Sequence, residues 1–299
     1  MKNNNKTITV FTPAYNRAHT LERTYHSLVS QTCHDFIWLI IDDGSKDHTK
    51  ELVAEWMKQD NPFEIQYCFK ENGGMHTAHN RAYSLIRTEL NVCVDSDDCM
   101  PPNAIRAICD FWKNHGSEDV AGIVALDGDM DGRVIGSGLP AHVSRATTTQ
   151  LYEQYGVTGD KKFIYRTDVI TSVPTYPEFA GEKLVPLGYK YALVADQYPM
   201  LLMNEVVCNV DYQPDGSSNT IYRQYLQSPR GFAADKIIRM TRTKKTINRL
   251  KCIVHYIAEC RIAGDGDWLK NSPLKISTVL LYPLGILFEH HIRRINRPS

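Results

Sequence analysis

Four short apolar runs, each closed by a polar segment and followed by a stretch of helical spacing, fill the first 115 residues of this chain. "TITVFT" at 7–12 is a β-branched run that stops at Pro13, and 19–31 then sets Leu21, Tyr25, Leu28 and Val29 at helical spacing. "FIWLII" at 36–41 is continuously apolar, as a strand buried on both faces requires. A helix over 48–59 follows, with Asp47 as its predicted N-cap. "EIQYCF", "HTAHNRAYSLIR", "LNVCVD" and "NAIRAICDFWKNH" continue the alternation. Strands alternating with helices of about a dozen residues predict an α/β fold, a mainly parallel sheet flanked by helices.

The texture changes after Ala121. "AGIVALDGDMDGRVIGSG" predicts a strand, a turn and a second strand, and "KKFIYRTDVI" a strand running into a short helix. From Phe232 the pattern is helical, with Ile247, Leu250, Ile253, Val254, Ile257 and Ile262 expected to form one apolar stripe. The expected division is therefore a domain over 1–231 and a helical C-terminal region over 232–299.

The apolar core of the last segment, 279–288, falls well short of the ~20 residues a membrane-spanning helix needs, and Pro283 and Gly285 interrupt it. Two readings stay open. It is a core-packing helix pair, or an interfacial membrane attachment with Arg293, Arg294 and Arg297 facing anionic lipid.

Charge excludes one class of partner. Lys plus Arg and Asp plus Glu each number 34, so nothing electrostatic argues for nucleic-acid binding. The eight cysteines form no CxxC pair and no zinc-ligand spacing. With no signal peptide ahead of the first strand, a reducing cytoplasm is expected.

In parallel sheets, ligands bind at the carboxyl ends of strands, so the strand-end segments are where chemistry is expected. "DSDD" at 95–98 follows an apolar strand, and a period of two puts Asp95 and Asp97 on the same side. Hard cations such as Mg2+ or Mn2+ take oxygen ligands, usually one or two carboxylates plus substrate phosphates. The alternative is an acidic turn before the helix that follows "PPN". In "TPAYNR", Thr12 and Asn16 offer polar groups and Tyr15 an aromatic face able to stack a base, or simply a packed tyrosine. "DDGS" offers acceptors for base or ribose hydrogens, or an Asp-Gly turn. "ENGGMHTAHNRA" places a Gly-Gly turn before a helix, where backbone N–H groups can approach an anion. It has neither GxGxxG nor a P-loop pattern. His76 and His79 in that helix could share one face and are expected to be polar surface.

The order of these segments resembles the inverting family 2 glycosyltransferases, which have the GT-A fold. The likeness is strong over 7–110 and looser in "GDKKFIYRTDVI…PEFAGEKLVP" and "DYQPDGSSNTIYRQYLQSPRGF". It is closest to bacterial enzymes that build capsular, exopolysaccharide or O-antigen units. The resemblance implies a nucleotide-diphosphate sugar donor, most often UDP-linked, and Mn2+ or Mg2+. It implies that Tyr15 stacks on the base, that Asp43 recognises the uracil edge, and that "DSDD" is the family's DxD motif. Asp97 then ligates the metal, and Asp95 contacts ribose or a metal-bound water, joining Asp97 in the metal set; Asp98 is left without a role. The implied donor-binding set is Thr12, Pro13, Ala14, Tyr15, Asn16, Arg17, Asp43, Gly73, Gly74, Asn80, Asp95 and Ser96.

The catalytic base implied by the resemblance falls on Glu182, although Lys183 stands where a second acid is usual and a structural role for Glu182 remains open. Met75 replaces a common Lys or Arg after the double glycine, so a phosphate contact must come from elsewhere. "SPRGF" stands where processive relatives carry QxxRW, which implies transfer of a single sugar. The loop around Gly216 is expected to close over the donor. The acceptor implied is a glycan hydroxyl, on a lipid-linked glycan at the inner membrane face. A metal-dependent nucleotidyltransferase or phosphohydrolase, and a non-catalytic nucleotide-sugar-binding protein, are the competing classes.

Overall fold

The computed structural model describes residues 6–195, 197–212 and 220–296. The glycine-rich loop around Gly216, and Arg297, lie outside them. In chain order the first elements are β1 (Ile8–Ala14), α1 (Ala18–Val29), β2 (Phe36–Asp42), α2 (Thr49–Trp56), β3 (Glu64–Phe69), α3 (Met75–Leu85), β4 (Leu90–Cys93) and α4 (Ala104–His115). Then come β5 (Gly122–Gly128), β6 (Arg145–Ala146), β7 (Lys161–Arg166), α5 (Thr167–Ser172), α6 (Gly188–Ala195) and β8 (Met200–Asn209). The chain finishes with α7 (Ile221–Gln227), α8 (Pro229–Arg242), α9 (Thr246–Ala263), α10 (Trp268–Asn271), α11 (Lys275–Leu280) and α12 (Tyr282–Ile295).

The chain divides into two compact units. The first comprises Met1–Asn72, Ala78–Pro174 and Gln197–Tyr212, and the second Gly73–Thr77, Thr175–Asp196 and Gln213–Ser299.

The first unit holds one eight-stranded sheet in the order β3-β2-β1-β4-β7-β5-β8-β6. The strands β3, β2, β1 and β4 run parallel, as the strand–helix alternation predicts. β7 enters antiparallel between β4 and β5. The sheet is therefore mixed, and the start of β7 lies at the same edge as the carboxyl ends of β1, β2 and β4. Every residue of β1 and β2 is buried. Aromatic packing closes one face: Tyr25 stacks on Trp56 at 4.4 Å, and Trp56 on Trp38 at 5.7 Å. Such offset pairs add about 1 kcal/mol each to the area they bury.

Three sequence expectations change here. β1 does not stop before Pro13 but runs through it to Ala14, with Pro13 in register with Ile41. A fixed φ near −65° is compatible with extended backbone, so proline costs the strand one donor only. The second strand expected after "ALDGD" is reduced to a single bridge between Gly128 and Val134. Asp47 stands one residue ahead of the N-cap of α2, accepting from Thr49 N at 3.1 Å and Ala18 N at 3.1 Å.

In the second unit, α8, α9 and α12 pack around Met240, Ile253, Tyr256, Ile257 and Cys260. The apolar stripe expected on α9 is only half right. Ile253 and Ile257 are buried, but Ile247 and Leu250 face solvent. The buried face instead recruits Tyr256, Ala258, Glu259 and Cys260.

Candidate active site

The acidic turn after β4 is held from three sides within the first unit. Arg23 on α1 donates to the Asp97 carbonyl and pairs with Asp211 at 2.9 Å. Thr24 Oγ1 donates to the Asp98 carbonyl at 2.8 Å. Beyond the turn, Cys99 and Asn209 exchange backbone hydrogen bonds of 3.0 and 2.7 Å, which fastens the segment to the end of β8.

Inside the turn, the three carboxylates separate by environment. Asp98 is buried, its Oδ1 accepting from Asp211 N at 3.3 Å and its Oδ2 lying 3.8 Å from Lys162 Nζ. Lys162 also lies 3.6 Å from Asp127 Oδ1. Sheet register explains this meeting. Lys162 on β7 stands opposite Ala125 on β5, Asp127 is two residues further along the same face, and Asp127 is opposite Cys208 on β8. Burial works against the Lys162 charge, but Asp127, Cys208, Asp98 and Asp95 together hold its pKa well above the ordinary lysine value. Burial pushes Asp98 up to about 7, with Lys162 opposing and Asp95 and Asp97 adding to the rise.

Asp95 and Asp97 are half-buried and make no ion pair among the described residues. Burial and the neighbouring Asp95 raise the Asp97 pKa, while Arg17 and Arg23 pull the other way. Two crowded, unpaired carboxylates with hard oxygen donors fit a divalent cation that keeps open positions for a phosphate-bearing ligand. Among the described residues no group of three or more His, Cys, Asp or Glu is arranged to hold a metal alone. The fit is to a site completed by substrate.

The other expected residues of this unit divide clearly. Tyr15 is 44% exposed at the end of β1, free of the core. Asn16 takes φ of 53°, a left-handed conformation asparagine tolerates, and its side chain accepts from Lys46 N at 2.8 Å. Its backbone N–H donates to Ser45 Oγ at 2.9 Å, which ties "TPAYNR" to "DDGS". Arg17 is the N-cap residue of α1. Thr12 is not at the surface: its hydroxyl accepts from Trp38 Nε1 at 3.0 Å inside the core, and Pro13 and Ala14 are buried. Asp43 is buried and engaged by Lys70 and by Asn72 Nδ2 at 3.0 Å. Ser96 is buried in the acidic turn, and Asn80 is half-buried on α3.

In the second unit, Gly74 lies against the loop that carries Glu182. A Cβ at Gly74 would stand 1.8 Å from the Lys183 carbonyl oxygen, and its φ is 93°. This juxtaposes the "NGG" and "GEK" segments, Gly73 and Gly74 with Glu182 and Lys183. The Glu182 carboxylate accepts from Arg230 N at 3.1 Å and Gly231 N at 2.9 Å. It therefore caps α8, whose own N-cap residue Ser228 makes no side-chain cap. The carboxylate complements the positive end of the helix. Buried beneath it, Glu259 has both carboxyl oxygens without a hydrogen-bond partner. Burial pushes its pKa up to about 9, Lys236 opposing and Glu182 adding.

Sequence reasoning missed Lys162, Asp127 and Arg23. The pattern of Lys162 and Asp127 is a polar residue on the inward face of a strand, and which neighbour it meets depends on strand order; Arg23 lies on α1. A cleft of about 1110 Å3 at the other end of the strands, lined by Thr7, Glu89, Arg166 and Thr167 among others, holds none of the expected residues.

The model of Glycosyl transferase family 2 matches residues 9–171, which covers β1 to α5. The chain is 34% identical over 98 residues to the chondroitin synthase of Pasteurella multocida, 33% of this chain and 10% of that one. It is 32% identical over 102 residues to the glycosyltransferase GlyG of Streptococcus pneumoniae serotype 4, 34% of this chain and 33% of that one. The chain thus spans a third or less of these relatives' length. Among solved structures, S. aureus TarS 1–349 in complex with UDP-GlcNAc matches with a TM-score of 0.58 at 17% identity, over 98% of this chain and 93% of that one. The mannosyltransferase PcManGT of Pyrobaculum calidifontis, in complex with GDP-Man and Mn2+, matches with a TM-score of 0.56 at 14% identity, over 96% and 82%. The mixed sheet, the acidic turn at the end of β4 and the family match over more than half the chain agree, and the chain belongs to glycosyl transferase family 2.

Proposed function

We propose that the protein transfers a single sugar, with inversion, from a UDP-linked donor to a hydroxyl of a growing, lipid-linked surface glycan, such as a capsular or exopolysaccharide unit. Tyr15 stacks on the base and Asp43 reads the uracil edge, with Asn16 and Arg17 closing the same strand end. Asp97 and Asp95 hold Mn2+ or Mg2+. When bound, that cation supplies Lewis-acid neutralisation of the diphosphate leaving group. Glu182 takes the proton from the acceptor hydroxyl as it attacks the anomeric carbon in line. The reading supposes that substrate binding loosens Glu182 from one of the two N–H groups it caps. Gly73 and Gly74, held against Lys183, shape the loop beside it. The reaction is placed at the inner face of the cell membrane, with a peripheral contact through the C-terminal segment.

The observation that carries this reading is the sorting of the acidic turn. Lys162 retains Asp98 inside, while Asp95 and Asp97 stand half-buried and make no ion pair among the described residues. The fold neighbours, one in complex with UDP-GlcNAc and the other with GDP-Man and Mn2+, support a nucleotide-sugar donor.

Incubation with a panel of UDP- and GDP-sugars and Mn2+ tests it. Slow release of free UDP, abolished by chelation, is the expected result. Release of inorganic phosphate or of the nucleoside monophosphate instead would put the acidic turn to phosphohydrolase or nucleotidyl chemistry, and no release from any donor would leave a binding protein.

A further inference from the structure

The last two helices of the second unit bury polar residues together with apolar ones. On α11 and α12 the buried residues are Thr278, Gly285, Glu289 and Ile292. The outward ones include five aliphatic residues: Ile276 is 80% exposed, Leu280 74%, Leu284 50% and Leu287 65%, with Val279 beside them at 51%. Ile276 and Leu280 are four residues apart on α11, and Leu284 and Leu287 three apart on α12, so each helix presents a pair of them on one face.

The rotation of α12 that exposes them is locked. A Cβ at Gly285 would lie 2.3 Å from Ile257 Cγ2, so α12 approaches α9 with this glycine and no larger residue at the contact. One turn on, Glu289 is buried and paired with Arg261 on α9 at 2.6 Å and with Arg293 at 2.9 Å. Tyr282 Oη accepts from Arg261 at 2.6 Å. Turning the leucines inward would break these contacts and force a larger residue into the place of Gly285. The stripe faces out because the other side is committed.

Charge selects what covers it. Between Trp268 and Asn296 the sequence has four basic residues, Lys270, Lys275, Arg293 and Arg294, and a single acid, Glu289. Glu289 is buried and doubly paired, so the exposed charged side chains of α11 and α12 themselves are cations, with Asp265 and Asp267 standing before α10. A second copy docking by two-fold symmetry would bring these cations against one another. A layer of acyl chains rimmed by anionic headgroups meets both needs. No helix among the described residues is long and apolar enough to cross a membrane, so contact is in the plane.

We propose that α11 and α12 form an in-plane docking surface for an anionic lipid bilayer, with Ile276, Leu280, Leu284 and Leu287 entering the acyl layer and Lys275 and Arg294 meeting headgroup phosphates. This names the surface behind the membrane-face location given under the proposed function, and it rests on that reading only for what the docked protein acts upon.

Flotation of the full chain with vesicles tests it, using phosphatidylcholine alone and phosphatidylcholine with about 30% phosphatidylglycerol. The wild type is expected to float with the anionic vesicles, less so as salt rises. The variant Leu280→Ser/Leu284→Ser/Leu287→Ser should lose binding by about tenfold or more, and Lys275→Gln/Arg294→Gln should lose the preference for anionic lipid. UDP release from donor in vesicle-free solution should be unchanged in both variants, which also shows that they fold. Failure of the wild type to float, or equal flotation of the leucine variant, overturns the proposal. So does a wild-type dimer in light scattering that the leucine variant abolishes, which would assign the stripe to a second copy. Donor turnover without flotation sinks the docking surface alone, whereas flotation without donor turnover sinks the proposed chemistry alone.

Discussion

Lys162 Nζ lies 3.8 Å from Asp98 Oδ2, so the acidic turn at the end of β4 has a cation of the protein's own beneath it. A crowded acidic sequence needs compensation, and the structure provides it in two places. Asp98 and Asp127 are met by Lys162 from inside, whereas Asp95 and Asp97 are the carboxylates assigned to the cation under the proposed function. The same ammonium that steadies the turn therefore also determines which carboxylates are available.

Removing that ammonium should be costly. Lys162→Met leaves Asp98 and Asp127 buried without their partner, a loss of about 3 kcal/mol at neutral pH. Both acids have pKa values raised by burial, so the stability they forgo grows as pH climbs from the ordinary carboxylate range through about 7. Urea denaturation at pH 5 and pH 8 should show the larger deficit at pH 8.

Asp97→Ala should abolish transfer and also metal-dependent donor binding, while leaving the fold intact because Asp97 makes no ion pair among the described residues. Calorimetric titration of Mn2+ in the presence of UDP reads this directly. Donor affinity that stays metal-dependent in the variant would move the ligand role to Asp95 alone.

Glu182→Gln separates capping from base chemistry. The amide keeps one acceptor oxygen for the N–H groups of Arg230 and Gly231, so a stability loss of about 1 kcal/mol is expected, the scale of an N-cap. Transfer should fall by about a thousandfold with donor affinity retained. Near wild-type turnover would leave Glu182 a capping residue only.

A third carboxylate gives a pH signature independent of activity. Glu259 is buried with its pKa raised to about 9. A carboxyl raised above its unfolded value contributes stability that is full below pH 4.5 and is lost as pH rises toward 9. His255, lowered to about 4 by burial and by Lys236, acts oppositely: its contribution is present above pH 6.5 and lost as pH falls toward 4. Glu259→Gln should therefore stabilise the protein by about 1–3 kcal/mol at pH 7.5, with no gain at pH 4.5. Thermal denaturation across that range checks both signs.

Much of the first unit was legible because its signals are local. The run 36–41 is buried on both faces as its unbroken apolarity demands, and β3, α4 and α5 fall within a residue or two of their expected places. The segments "TPAYNR", "DDGS" and "DSDD" lie at strand ends as the rule expects, and the bond from Asn16 N to Ser45 Oγ links the first two. That the Thr12 hydroxyl turns to Trp38 was not legible, because alternation along β1 does not say which face meets that ring. On α9, Ile247 and Leu250 kept helical spacing and yet face solvent, since Gly285, Tyr256 and Glu259 set the packed face instead.

The sequence by itself determined the alternation of strand and helix, the acidic turn and the likeness to a family, because apolar periodicity and turn chemistry act over a few residues. Only the tertiary structure decided which acid is which. Placing β7 antiparallel between β4 and β5 brings Lys162 beside Asp98 and Asp127 from 64 and 35 positions away along the chain. An ion pair of that separation is created by strand order, and its low-dielectric surroundings make it count.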